Sequence, residues 1–113
     1  MVVTLREANL DRFSALVDAA ASRADDPTVL FDFVLAIGGL WDRLGLRDPF
    51  VDAQLGDAET RERLSRAARE PASAAPSERE RLAFYALRTL AAVQMFVEGW
   101  RRQPALRTAS LSR

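Results

Sequence analysis

The 113-residue sequence has no histidine, no cysteine and no lysine, and all sixteen of its basic residues are arginine. Each absence removes a chemistry. Without histidine there is no proton shuttle near neutral pH, without cysteine no thiolate nucleophile or soft metal ligand, and without lysine no Schiff-base amine. Arginine stays protonated and replaces none of these. Only carboxylates and hydroxyls remain for catalysis, so an enzyme is the least expected class and neither a cofactor nor a metal site is expected. The lack of cysteine also excludes a disulfide framework. The first residues lack the charged-then-apolar pattern of a signal peptide, which makes the cytoplasm the expected compartment. Arginine in place of lysine, beside twenty alanines, is the composition expected of a GC-rich bacterial genome. Glycine and proline are scarce at five each, and most stand where helices should begin or end.

What is present favours helix, because Ala, Leu, Arg and Glu head the helix-propensity order and β-branched residues are few. The length is that of one domain. We therefore expect an all-α, single-domain bundle of about five helices over residues 1–104, with helices 1, 2 and 5 forming the core. Residues 105–113, which carry arginine and no helical pattern, read as a short flexible basic tail.

Local signals set the expected boundaries. Thr4 to Glu7 has the form of a capping box, and Leu5, Phe13, Leu16, Val17, Ala20 and Ala24 then recur at helical spacing, so helix 1 should end near Ala24. Asp25-Asp26-Pro27 and Asp48-Pro49 each combine a capping carboxylate with a proline at the first helical position, starting helices 2 and 3. Gly45 reads as a left-handed stop for helix 2, and Gly56 closes the short helix 3, which carries Phe50, Val51 and Leu55. Asp57 caps a mostly polar helix 4 over 58–70, where only Leu64, Ala67 and Ala68 are available to bury. Glu59/Arg63 and Glu62/Arg66 stand in the favourable i,i+4 order. After the Pro71–Pro76 connector, Ser77 to Glu80 forms a second capping box for a long helix over 78–103.

Helices 2 and 5 are apolar on two sides. Helix 2 has a main stripe of Leu30, Phe33, Val34, Ile37, Leu40, Trp41 and Leu44, with Phe31 and Leu35 on the opposite side beside Gly38. Helix 5 has a broad face of Leu82, Tyr85, Ala86, Leu90, Val93, Phe96, Val97 and Trp100, and a narrower stripe of Phe84, Leu87, Ala91 and Met95. A helix of this kind must bury both sides, and so small a chain has little left to cover them unless helix 3 does so. Phe31, Leu35, Phe84, Leu87, Ala91 and Met95 are thus the expected interface, with a second copy or another subunit as partner. A non-enzymatic protein-interaction module is the first expectation. Helix 2 is too short to span a bilayer, and no membrane partner is expected.

Two other classes remain open. Residues 1–60 hold eleven Asp/Glu and five Arg, whereas residues 61–113 hold five Glu and eleven Arg, giving halves of −6 and +6. Arg101, Arg102 and Arg107 near the C-terminus could contact a nucleic acid, although no aromatic is interleaved there for base stacking. Trp41, Tyr85 and Trp100, with Met95, could instead line a ligand pocket between helices 2 and 5 in a small-molecule-binding regulatory bundle. Asp32 falls on a polar strip with Ala36, Gly39 and Arg43. Asp25-Asp26 reads as a cap in preference to a metal site, and Gly38-Gly39 as a close approach between helices in preference to a phosphate loop.

Overall fold

The structure, a computed structural model, describes the backbone of residues 2–102 and the side chains of residues 11–102. Its helices are α1 (Val2–Ser22), α2 (Pro27–Leu44), α3 (Pro49–Leu55), α4 (Ala58–Arg69) and α5 (Pro76–Arg101), with a 3₁₀ turn at Pro71–Ser73. There is no strand among the described residues. The chain is an all-α bundle, as the composition dictates.

Most of the boundary chemistry is local. The Asp26 carboxylate accepts from the amide of Thr28 at 3.0 Å, Asp48 from those of Phe50 and Val51 at 3.0 Å, and Asp57 from that of Thr60 at 3.1 Å. Each satisfies amides that the first helical turn leaves without partners. At the end of α2, Gly45 takes φ 65° and donates to Asp42, while Leu46 donates to the carbonyl of Trp41 at 3.2 Å. This paired return requires the left-handed conformation that glycine adopts without strain.

Three expectations need correction. Helix α1 already runs at Val2 and ends at Ser22, two residues short of Ala24, so Thr4 lies inside the first turn and not at the N-cap position. The side chains of Thr4, Leu5 and Glu7 lie outside the described residues. The Ser77–Glu80 box does not start α5 either: Pro76 occupies the first turn and Ala75 is the N-cap, with no side-chain cap bond. Proline has no amide to satisfy and a preset φ, so it wins the start over the serine one position later. Helix α5 then ends at Arg101, before the expected residue 103.

Helices α2 and α5 form the central pair, with α1 packed on both. Phe13 of α1, Trp41 of α2 and Phe96 of α5 meet as an aromatic triad, with centroid separations of 5.9, 6.2 and 4.9 Å. Two of the three contacts are edge-to-face, the geometry that ring quadrupoles favour. The second side of α2 is closed within the chain at Phe31 and Gly38, while Leu35 between them stays exposed. Phe31 is only 1% exposed and the Arg79 guanidinium sits 5.6 Å from its ring centroid. The cover is α4 and not α3: α4 packs against α2 and buries Leu64 and Ala67, while α3 packs on α5 and buries Val51 and Leu55. Gly38 permits this close approach, since a Cβ there would lie 3.2 Å from Nη1 of Arg61. Asp32, Ala36, Gly39 and Arg43 share the exposed strip expected of them.

Candidate functional site

The outer side of α5 is left uncovered among the described residues. Its inner side is committed to the core through Leu82, Ala86, Leu90, Val93 and Val97, with Thr89 buried among them and donating to the carbonyl of Tyr85 at 3.0 Å. At about 100° per residue, Phe84, Leu87, Ala91 and Met95 fall on the other side, and all four are exposed, Phe84 by 67% and Met95 by 66%. Arg81 and Arg88 border this stripe on the Met95 edge. Glu80 and Glu98 stand at its two ends, in angle between Leu87 and Ala91. Of the two α2 residues expected to join it, Leu35 is exposed, whereas Phe31 is core and cannot belong to any surface. Leu16 and Phe50 are also exposed. Phe50 could have been flagged from the sequence, because Val51 and Leu55 define the buried side of the short α3 at i,i+4 spacing and leave Phe50 off it.

The described arginines near the C-terminus are engaged in ion pairs. Arg101 donates to the Asp18 carboxylate at 3.0 Å and to the hydroxyl of the buried Ser14, tying the end of α5 to α1. Arg102 pairs with Glu98 at 3.5 Å. Arg107 lies outside the described residues. In α4, Arg63 pairs with Glu59 at 2.8 Å as the spacing predicts, while Glu62 and Arg66 remain apart.

Of the three residues expected to line a ligand pocket, Tyr85 and Trp100 are not in the lining of the cleft beside Trp41. The Tyr85 hydroxyl donates to the carbonyl of Gln54, fastening α5 to α3, and Trp100 is half-buried in the last turn of α5. Burial raises the Tyr85 pKa first, and the nearby Asp57 charge raises it further. Trp41 alone borders a cleft, of about 270 Å³, together with Asp42 of α2, Arg47 of the connecting loop, Asp52 and Leu55 of α3, and Arg61 of α4. Asp52 is the keystone of that corner: Oδ1 accepts from the Trp41 indole N–H at 2.8 Å and Oδ2 from the Asp48 amide at 3.3 Å. Sequence reasoning pointed to close packing at Gly38 but not to the convergence of the cleft's charged residues, which depends on how α4 folds back across α2.

Asp57 is fully exposed, yet its pKa is held below the usual carboxylate value by the Thr60 hydroxyl and then by the Thr60 amide, both of which donate to it. Among the described residues no group of three or more His, Cys, Asp or Glu could hold a metal ion, and no helix is long and apolar enough to cross a membrane. No protein-family model matches the chain, and neither the curated proteins nor the solved structures compared with it give a match.

Proposed function

We propose that this protein is a helical protein-interaction module that self-associates through the outer side of α5. The observation that carries the reading is the exposure of Phe84 and Met95, two-thirds open to solvent on a helix whose opposite side is core. From Phe84 to Met95 the stripe runs roughly 16 Å along the helix axis. Exposed aromatic and methionine side chains are enriched at association surfaces, and an apolar stripe rimmed by charge is the form such a surface takes.

A two-fold axis sets the stripe of one chain on the same stripe of a second copy, so that Phe84, Leu87 and Met95 of each are covered by an equally apolar surface.

Light scattering over a range of concentrations tests the proposal. The wild type is expected at twice the chain mass, and Phe84→Glu with Met95→Glu at the single-chain mass with unchanged helical circular dichroism. Loss of two central anchors should weaken association by at least about a hundredfold. A wild type that stays monomeric at high micromolar concentration overturns the reading.

A further inference from the structure

The cleft beside Trp41 contains basic charge that its surroundings do not use. Asp52 has both oxygens engaged, by Trp41 and by the Asp48 amide. The side chains of Arg47 and Arg61, by contrast, have no ion-pair or hydrogen-bond partner among the described residues. Arg61 is the more telling of the two. Its Nε–H is shielded from solvent with no acceptor in reach, and its Nη1 rests against the backbone of α2 at Gly38. A charged donor removed from water and left without an acceptor bears its full desolvation penalty, which leaves the rest of the guanidinium, at the wall of the cleft, as the part that an acceptor can reach. The long aliphatic stem of Arg61 and the tight seat at Gly38 hold the guanidinium at the cleft and limit its search for water.

We propose that this cleft binds a small monocarboxylate with a short apolar tail, its carboxylate clamped between Arg61 and Arg47 and its tail against Leu55 and Trp41. The planar guanidinium matches a carboxylate through paired N–H donors. The volume of about 270 Å³ lies at the small end for ligand pockets and suits a small metabolite. Asp42 also borders the cleft, with no side-chain partner among the described residues, and Asp52 keeps its charge because its two donors are neutral, so two guanidiniums face two carboxylates. With no net positive charge to meet it, a dianion such as phosphate is opposed more strongly than a monoanion. This site is separate from the outer stripe of α5 and does not depend on self-association.

The test is an NMR titration of the full chain at fixed ionic strength, following the Arg61 Nε–H and Trp41 Nε1–H signals, with butyrate, inorganic phosphate and n-butylammonium as probes. Butyrate is expected to shift both signals saturably, phosphate to bind more weakly, and n-butylammonium to leave them in place. Arg47→Gln, an exposed substitution that leaves the core untouched, should weaken butyrate about tenfold, and Arg61→Lys, which keeps the charge but loses the forked donors, by at least as much. Tighter binding of phosphate overturns the carboxylate assignment. A shift that never saturates, or that sodium chloride reproduces, overturns the site. Should Arg61→Lys disturb the fold, Arg47→Gln decides alone, and unchanged affinity in that variant overturns the two-arginine clamp.

Discussion

Helices α2 and α5 are both apolar on two sides, yet they meet different fates. The second side of α2 is roofed by α4 except at Leu35, although α4 offers only Leu64 and Ala67 as buried apolar residues and an arginine laid across Gly38. The second side of α5 has no roof at all among the described residues, although Phe84 there is as large as Phe31 on α2. Apolar content alone therefore does not decide burial. What decides it is whether a neighbour can come close, and α2 has a glycine at the place of approach. Along its outer stripe α5 presents Phe84, Leu87 and Met95, with Ala91 the only small residue.

Two phenylalanines offer the sharpest way to break that contrast. Phe31→Ala is expected to cost about 3–5 kcal/mol in urea unfolding, as for a filled core site, whereas Phe84→Ala should change single-chain stability by less than about 0.5 kcal/mol. Equal losses would mean that the two sides are covered alike. Tyr85→Phe comes next, since it removes the bond to Gln54 that holds α3 against α5, and about 0.5–1.5 kcal/mol should go with it. Because burial raises the Tyr85 pKa, its neutral form is favoured in the fold. That contribution is complete below the unfolded value near 10.0 and fades as pH rises through the higher folded value. Wild type and Tyr85→Phe should accordingly converge in stability in alkali.

The glycines sharpen the comparison further. A Cβ at Gly39 of α2 or Gly99 of α5 would meet nothing within 4 Å, so alanine at either should stabilise by about 0.5–1 kcal/mol. Gly38→Ala should forfeit most of that gain by pressing on Arg61, and a full gain there would show that α4 does not seat as described. The smallest effect belongs to Asp57, which caps the roofing helix. Its pKa is lowered in the fold, so its contribution is present above the unfolded value of 3.8 and disappears as pH falls through the lower folded value. Asp57→Asn should flatten the acid limb of the unfolding midpoint slightly, and an unchanged limb would show that the cap contributes nothing.

What the sequence discloses here is mostly what lies within a few residues. The Asp26-Pro27 and Asp48-Pro49 starts, the Asp57 cap and the Gly45 stop all stand where side-chain chemistry alone put them. Where two local signals compete, as at Pro76 and Ser77, the reading can choose wrongly. The outer stripe of α5 was legible from periodicity, because its exposure follows from the helix itself. Phe31 was not, since its burial depends on α4 returning across α2, and a helix with so few apolar residues gives no sign of being a roof. The Arg101 link to Ser14 and Asp18 was equally hidden: more than eighty residues separate the partners.

Sequence separation also bears on the order in which this chain can assemble. The Trp41–Asp52 bond spans eleven residues and the Tyr85–Gln54 bond thirty-one, while the Arg101–Asp18 clasp closes a span of eighty-three. Short spans lose little chain entropy on closing and form early; long ones wait for the intervening structure. The corner built on Asp52 is thus expected to be in place before α1 docks. The bundle is finished when its first and last helices are clasped together, and Trp41→Phe should slow folding where Asp18→Asn mainly hastens unfolding.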